Sequence, residues 1–364
     1  MAADRSSDST DTVVGLARTL RAAGVEASPD RVHALMAALS LLDPSLDHSD
    51  IIRLADRVEA RAAEVGQKSG TIAAELARSQ VYLMRCRWMD ELDALERARK
   101  LIDPREDPRR WFANTADICN SLLYGPVPAA EAIERIRTAD WGTEGPTAPR
   151  ESWMAPLLAM LGRFDDARDK TRDARAYLEE RGLRMRIGDM ALVGGVVEDL
   201  AGDLAAADRA FGEGIGILQA LGETGVLSTL AAMRASVLYR LGRRGEVEAD
   251  ILLARETGAP TDIATQAWWR FSAAQLAADD GHHADARRLI YEAVELVGPT
   301  DFLVMRGVTY EGLAHVEARA GNSDGWKAAL ERALGEHERK GNLVSAGRVR
   351  DQQAAGPPEP IAAA

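Results

Sequence analysis

The densest group of potential metal ligands in this sequence lies in one predicted loop. It contains five carboxylate and imidazole side chains, Asp279, Asp280, His282, His283 and Asp285. Imidazole and carboxylate groups together suit divalent transition metals. Two adjacent histidines do not by themselves set a tetrahedral geometry, however, and a loop that faces solvent is expected to be polar. We therefore expect a solvated loop here and no metal site.

Catalytic motifs are equally weak elsewhere in the chain. The segment Gly66-Gln67-Lys68-Ser69 is the nearest approach to a phosphate-binding loop, but it lacks both the leading glycine and the Gly-Lys step. The remaining histidines, His33, His48, His315 and His337, are scattered, and the spacing shows no Ser-His-Asp or Cys-His arrangement. The sequence thus predicts a protein that is not an enzyme and needs no cofactor.

Cysteine content and hydropathy indicate the compartment. Cys86 and Cys119 are the only two cysteines, without the paired spacing of a zinc site or a disulfide framework. The first six residues are polar and lack the apolar stretch of a signal peptide. The sequence contains no apolar span of about 20 residues that could cross a membrane. We therefore expect a cytoplasmic protein.

The charge balance argues against a nucleic-acid partner. The chain carries 57 acidic and 45 basic residues, for a formal net charge of -12. Binding to phosphates needs clustered lysine and arginine, because their contacts release counterions. The arginines here alternate with carboxylates, as Arg163 does with Asp165 and Asp166. Such pairs are typical of solvated helix faces.

A repeat of about 40 residues provides the strongest signal in the sequence. Its markers are five glycines: Gly162, Gly202, Gly242, Gly281 and Gly321. Seven residues before them stand Ala155, Gly195, Ala235, Ala274 and Ala314, and twelve residues after them stand Ala174, Gly214, Ala254, Ala293 and Ala333. Nine residues after four of the glycines stand Phe211, Ile251, Ile290 and Leu330. A constant period of this length indicates a repeat array.

These columns have a physical interpretation as pairs of antiparallel helices. The glycine ends the first helix, because glycine enters the left-handed conformation without penalty. The small residues let the helix backbones approach, and the larger side chains fill the space between them. This rhythm resembles the tetratricopeptide repeat, whose standard length is about 34 residues. We predict an all-α, right-handed superhelical solenoid of tetratricopeptide-like helix pairs.

The boundaries of the array follow from where the columns fade. We predict a solenoid over residues 12–350, with the clearest repeats at 146–350 and disordered segments at 1–11 and 351–364. Before Gly162 the pattern weakens, with Gly125 and then Cys86 in the glycine position. Asp262 and Asp301, 39 residues apart, are each preceded by Pro and Thr, which predicts a repeated helix N-cap.

The concave face is the best candidate for a binding site. If the first helix of each pair forms the inner wall, it presents eight polar or aromatic residues: Asp189, Ser236, Tyr239, Arg240, Trp268, Gln275, His315 and Arg319. Trp268 and Trp269 are adjacent and point about 100° apart on a helix. One of them could therefore anchor a partner while the other packs between repeats, or both could be packing residues.

Several segments also resemble a known group of bacterial proteins. They are 161–168, 261–270, 300–303 and 338–344, together with 123–126. They look like the tetratricopeptide-like C-terminal region of multidomain signalling proteins that carry a class III adenylate/guanylate cyclase domain and an AAA-type ATPase module. The resemblance covers roughly residues 85–350 and carries no catalytic residues. It implies a regulatory array, either encoded separately or cut from a longer protein.

Together these features predict a non-catalytic scaffold that binds a protein or peptide in bacterial signalling or transcriptional control. The resemblance implies a cyclase or an ATPase as signalling partner. The alternatives are a sensor that holds a small molecule or short peptide in the concave groove, and the regulatory portion of a cyclase/ATPase protein.

Overall fold

A computed structural model of the chain describes residues 48–141 and 150–363, and its regular structure is helical throughout these ranges. The helices are α1 (His48–Val65), α2 (Lys68–Met84), α3 (Trp88–Arg99), α4 (Pro108–Tyr124), α5 (Ala129–Thr138), α6 (Ala155–Met160), α7 (Phe164–Glu180), α8 (Arg184–Ala201), α9 (Leu204–Leu221), α10 (Gly225–Arg240), α11 (Arg244–Thr257), α12 (Ile263–Asp279), α13 (His283–Val297), α14 (Leu303–Arg319), α15 (Ser323–Lys340) and α16 (Leu343–Ala355). A 3-10 turn at Ser152–Met154 precedes α6. Within the described ranges, no helix combines the length and apolar character that crossing a membrane requires.

The described residues group into two compact units, whereas the sequence predicts one solenoid over 12–350. Unit 1 comprises 48–121 with 140–141, and unit 2 comprises 122–139 with 150–363. The predicted disordered segment 1–11 lies outside the described residues. The sequence does not mark this division, because the repeat pattern is weak in the part of the chain where unit 1 ends.

Unit 1 is held together by consecutive helix contacts and by buried charge. Helix α2 packs against both α1 and α3. Glu75 in α2 is buried and pairs with Arg78 at 3.1 Å and with Arg97 of α3 at 2.9 Å. Cys86, placed by the sequence in the glycine position, has a positive φ of 49° between α2 and α3. The turn at this position is therefore left-handed even though a cysteine replaces the glycine.

Unit 2 contains the five strongest repeats as five helix pairs: α6 with α7, α8 with α9, α10 with α11, α12 with α13, and α14 with α15. Short connections make the two helices of each pair antiparallel. The first helices α8, α10, α12 and α14 also pack against each other in sequence order. An all-α solenoid of antiparallel helix pairs, as predicted, is therefore confirmed.

The glycine column ends the first helix of every pair. All five glycines have left-handed backbones: Gly162 (φ 78°), Gly202 (82°), Gly242 (72°), Gly281 (76°) and Gly321 (74°). At each of them, the amide of the residue that follows bonds back into the last helical turn, as His282 N does to Ala277 O at 2.9 Å. This is the geometry in which glycine carries no steric penalty.

The two small-residue columns mark the helix contacts. The four second-helix alanines, Ala174, Ala254, Ala293 and Ala333, have no exposed surface. A Cβ atom on Gly195 would lie 2.3 Å from the Phe211 ring, and one on Gly214 would lie 2.3 Å from the Ala191 Cβ. Phe211 and Ile290, from the larger-residue column, are buried against these positions.

The helix starts agree with the sequence in one repeat and not in the next. Asp262 caps α12, and its Oδ1 accepts a hydrogen bond from Thr265 N at 3.3 Å. The predicted equivalent cap at Asp301 is wrong, because α14 begins at Leu303 and its N-cap residue is Phe302. Thr300 instead bonds to the end of the preceding helix, through Val297 O at 2.7 Å.

The C-terminal segment differs from the expected disordered tail over 351–364. Residues 351–355 continue α16, which ends at Gly356 with φ 83°. Beyond it, Ile361 N donates to Arg319 O at 2.9 Å. The last helix packs against α15, and the chain after it has hydrogen-bond partners on the solenoid. The composition of the tail did not reveal these partners.

The last repeat of unit 2 contacts the first residues of that unit. Lys340 at the end of α15 is fully buried, and its Nζ donates to the carbonyls of Leu122 (3.2 Å), Gly125 (2.6 Å) and Val127 (2.9 Å). The rings of Tyr124 and Phe302 meet edge to face with centroids 5.3 Å apart. We call this set of contacts the closure.

Candidate functional site

Unit 2 encloses a cavity of about 450 Å³ between its first helices and its last helix. The walls come from α8, α10, α12 and α14, which are first helices of the pairs, and from α16. Leu123 and Tyr124, Pro156 and Met160 of α6, Trp326 of α15, and residues after α16 also contribute to the lining. The volume lies within the range of small-molecule and cofactor sites.

The cavity has a predominantly apolar lining. Trp268 and Phe271 of α12 meet edge to face, with centroids 6.0 Å apart and an interplanar angle of 82°. Met233, Phe302 and Val308 contribute further apolar surface. Aromatic and thioether side chains offer polarizable contact surface that suits an apolar group of a ligand.

Two amide side chains in the lining retain hydrogen-bonding capacity. Asn342 is fully buried, and its Oδ1 accepts from Ser345 N at 3.1 Å, capping α16. Its Nδ2 has no hydrogen-bond partner among the residues that the structure describes. Gln275 Oε1 is also buried, and no described residue donates a hydrogen bond to it. Buried polar atoms normally find partners. The unused donor and acceptor are therefore candidates for orienting a ligand.

Charged side chains at the cavity are paired with one another or with backbone carbonyls. Arg240 forms an ion pair with Asp199. Arg348 of α16 donates to Leu200 O at 3.2 Å and to Asp199 O at 3.4 Å, at the end of α8. Glu311 bonds to the fully buried His337 at 2.8 Å. These pairs connect α16 and α15 to the inner helices.

A polar cluster next to the cavity joins three repeats around Asp279, the last residue of α12. Tyr239 donates its hydroxyl to Asp279 Oδ2 at 2.5 Å, and Arg319 Nε donates to Oδ1 at 2.9 Å. His315 Nε2 lies 3.1 Å from the same Oδ1. Because these three side chains come from α10 and α14, the cluster ties the first helices of successive pairs together.

The cluster fixes the ionisation of its central carboxylate. Burial raises the pKa of Asp279, but hydrogen bonds from His315 and Tyr239 and the charges of His315 and Arg319 outweigh burial and lower that pKa to about 2. The pKa of Tyr239 is raised well above its usual range by burial and by the nearby Asp279 carboxylate. The cluster therefore holds a carboxylate anion and a neutral phenol at neutral pH.

The structure brings seven of the eight predicted site residues together. Five of them line the cavity: Ser236, Arg240, Trp268, Gln275 and His315. Tyr239 and Arg319 reach Asp279, as described above. Asp189 lies apart from the cavity in α8, beside Arg186 at 3.5 Å, and burial raises the pKa of its carboxyl group. Asp189 is therefore neither part of the cavity lining nor part of the cluster around Asp279.

The two adjacent tryptophans have different surroundings. Trp269 is buried, and the guanidinium groups of Arg270 and Arg255 lie 4.2 and 5.1 Å from its ring centroid. Its indole nitrogen donates to Gln266 Oε1 at 3.0 Å. Trp268 is partly buried and lines the cavity. Trp269 therefore packs between repeats, while Trp268 remains the aromatic side chain available to a ligand.

The polar side chains of the turn after α12 interact with different partners. Asp279 joins the cluster, Asp280 pairs with Arg244 at 2.5 Å, and His283 bonds to Ile361 O at 2.8 Å. Across residues 48–141 and 150–363, no group of three or more histidine, cysteine or acidic side chains could hold a metal ion.

Sequence reasoning missed the part of the cavity lining that comes from the closure and from α16 with its N-cap. The residues concerned are Leu123, Tyr124, Phe302, Asn342, Ser345, Arg348 and Gln352. A signal existed only for Asn342, because the pair Gly341-Asn342 precedes an apolar residue and is typical of a helix end followed by an N-cap. The contact between distant parts of unit 2 had no local signature.

Comparisons with known proteins leave the family open. A family model described as the CoxE N-terminal helical bundle domain matches residues 13–58, most of which lie outside the described ranges. No curated protein matches the sequence at a significant level. The CoxE model covers too little of the chain to assign the chain to that family.

Two solved structures of helical-repeat proteins align with most of the chain. One is described as the APC/C hetero-tetramer Cut9-Hcn1, with 15% identity over 90% of this chain and 67% of that one, at a TM-score of 0.34. The other is the P58(IPK) TPR domain, with 13% identity over 95% of this chain and 99% of that one, at a TM-score of 0.25. Scores this low do not define a shared function, and the resemblance to cyclase/ATPase proteins gains nothing from them.

Proposed function

We propose that this chain is a non-catalytic scaffold that binds a protein or peptide segment on the inner face of unit 2. The observation that carries the proposal is the apolar cavity of about 450 Å³ that lies between the first helices. An apolar side chain of the partner would enter beside Trp268 and Phe271. Gln275 and Asn342 offer an acceptor and a donor, which is the complement of a peptide group.

Selection from a randomised peptide library on the immobilised full chain tests this function. We expect enriched peptides with at least one large apolar residue. Trp268→Ala should weaken their binding at least about tenfold, because aromatic anchors dominate interface energies. Leu252→Ala is the control, since Leu252 is 52% exposed and lies outside the cavity lining.

A second variant separates binding from folding. Gln275→Ala removes no hydrogen bond from Oε1 within residues 48–141 and 150–363, because that atom has no partner among them. It should therefore leave the melting temperature nearly unchanged while weakening the selected peptides about two- to tenfold. Peptides that bind both cavity variants as well as wild type would contradict the proposed site.

The second candidate function is a sensor of a small molecule. The closure favours it, because the cavity is walled on one side by α16 and on another by residues 123–124. Native mass spectrometry of the protein purified from its own cells would detect a retained small molecule. Loss of that molecule in Trp268→Ala, together with failure of the peptide selection, would favour the sensor.

The resemblance to cyclase/ATPase proteins supports a regulatory role in bacterial signalling within the cytoplasm. A partner bound on the inner face would change the geometry of the array, and an attached or associated cyclase or ATPase would respond. Measuring the activity of such an enzyme with and without the chain tests this role. Equal activities would remove the support for it.

A further inference from the structure

The segment after α16 is an extended peptide that lies on the solenoid at the edge of the cavity. Gly356, with φ 83°, ends the helix, and Pro357, Pro358 and Pro360 follow within the next four residues. Proline fixes φ near -65°, so that such a segment is already extended before it binds. We call residues 356–363 the tail.

Main-chain atoms make the polar contacts of the tail. Ile361 N donates to Arg319 O at 2.9 Å, and Arg319 Nη1 donates to Glu359 O at 3.2 Å. His283 Nε2 donates to Ile361 O at 2.8 Å. These contacts use the peptide backbone, which any extended chain offers, and so they do not require this particular sequence.

The tail also contacts the turn glycine of the last repeat and forms part of the cavity wall. Pro360 lies 3.8 Å from the position that a Cβ atom on Gly321 would take. Ala355, Gly356 and Pro358 line the cavity. An extended segment seated on Arg319 and His283 therefore reaches the cavity edge, where the proposed partner would bind.

We propose that the tail occupies, within the same chain, a site for an extended proline-containing peptide, and that a partner peptide binds there by displacing it. The inference rests on the proposed function and names the chemistry of the partner. Arg319 and His283 bind the partner backbone, and a proline ring of the partner packs beside the turn at Gly321, as Pro360 does. Displacement of the tail opens one wall of the cavity.

A labelled peptide with the sequence of the tail tests the proposal in full-length protein. The variant carries Pro357→Gly, Pro358→Ser, Glu359→Gly, Pro360→Ser and Ile361→Gly, which removes the extended preference and the apolar contacts. By fluorescence anisotropy, we expect the peptide to bind this variant at least about tenfold more tightly than wild type. A tethered competitor acts at an effective concentration in the millimolar range.

Two histidines in one turn provide a matched control within the tail variant. His283→Ala should weaken the labelled peptide about three- to tenfold, since one hydrogen bond is lost. His282→Ala should not, because His282 is exposed and only its neighbour contacts the tail. Circular dichroism melting verifies that both variants are folded.

The outcomes separate this inference from the proposed function. Failure of the peptide to bind the tail variant, equal binding to variant and wild type, or equal effects of the two histidine substitutions would each overturn the inference. The library selection described above would still stand in all three cases. Failure of the selection with tail-peptide binding intact would contradict the cavity as the partner site and leave the tail site in place.

Discussion

Lys340 has an environment that is unusual for a lysine side chain. It is fully buried, and its amine meets three carbonyl oxygens of the closure. Burial lowers the pKa of Lys340 to about 7, although the charge of Asp301 opposes the shift. The side chain therefore both satisfies buried acceptors and carries a desolvation cost whenever it is charged.

Removal of this amine should destabilise unit 2. Lys340→Met keeps most of the side-chain volume but leaves three buried carbonyls without their donor. We expect the free energy of unfolding to fall by about 3 kcal/mol at neutral pH. Urea unfolding followed by circular dichroism measures it, with the exposed Lys68→Met as control. A loss no larger than that of the control would mean that the closure contributes little stability.

The pH dependence of this effect has a definite sign. The folded pKa of Lys340, about 7, lies below the ordinary value of 10.5, so between these values the unfolded state binds more protons. Stability then rises with pH in that window, by up to about 1.4 kcal/mol per pH unit. The advantage of wild type over Lys340→Met should therefore grow between pH 7 and pH 9.5. A constant or shrinking difference would contradict the lowered pKa.

At the scale of single helices, the small-residue columns determine how closely neighbouring helices approach. The sequence alone was sufficient to predict these contacts, since each column holds only glycine or alanine at a fixed distance from the turn glycine. The structure shows why no larger residue fits, because Gly195 and Gly214 lie against Phe211 and Ala191. Cys86 was placed instead by the column of turn glycines, and it has the left-handed backbone of those glycines.

One substitution tests the column in α13. Ala293→Leu adds three carbon atoms at a position with no exposed surface, and overpacking of this kind costs about 1 to 3 kcal/mol. Ala284→Leu, in the same helix but exposed, is the control and should change stability by less than about 0.5 kcal/mol. Thermal unfolding of both variants measures the difference. Equal melting temperatures would show that the repeat register is wrong.

Other elements were less predictable, for identifiable physical reasons. The pair Thr300 and Asp301 repeats the residue types of an N-cap, but Thr300 is engaged by the preceding helix and α14 begins later. The tail has a composition typical of disorder, yet its prolines hold it extended against Arg319 and His283. For Thr300 the competing acceptor, Val297 O, is only three residues away, so two local interactions compete. For the tail the partners lie about 40 and 78 residues away, where local sequence gives no signal.

At the scale of the whole molecule, the candidate site depends on contacts between distant parts of unit 2. The first helices and their inner-face residues follow from the repeat, which is why Trp268, Gln275 and His315 could be selected from sequence. The rest of the cavity depends on the closure, because it brings Tyr124 and Asn342 to the same space. The repeat period does not determine how many helix pairs are needed before the first and last residues of unit 2 come into contact.

Amide hydrogen exchange should reveal the closure directly. Tyr124→Ala removes the ring contact to Phe302 without touching the amine of Lys340. We expect faster exchange both in residues 122–138 and in α15, although these segments are far apart in sequence, since each protects the other. Tyr291→Ala serves as control, because Tyr291 is 47% exposed and lies outside the closure. Faster exchange in only one of the two segments would indicate that the ends open independently.

The closure changes how unit 2 can respond to any occupant of its cavity. In a linear solenoid each repeat contacts only its neighbours, so small rotations of single repeats can change the curvature gradually. Once Lys340 holds residues 122–127, no single repeat can rotate unless its neighbours compensate or the Lys340 contacts break. Joined ends therefore favour an all-or-none response, with one state in which the join is kept and another in which it is released.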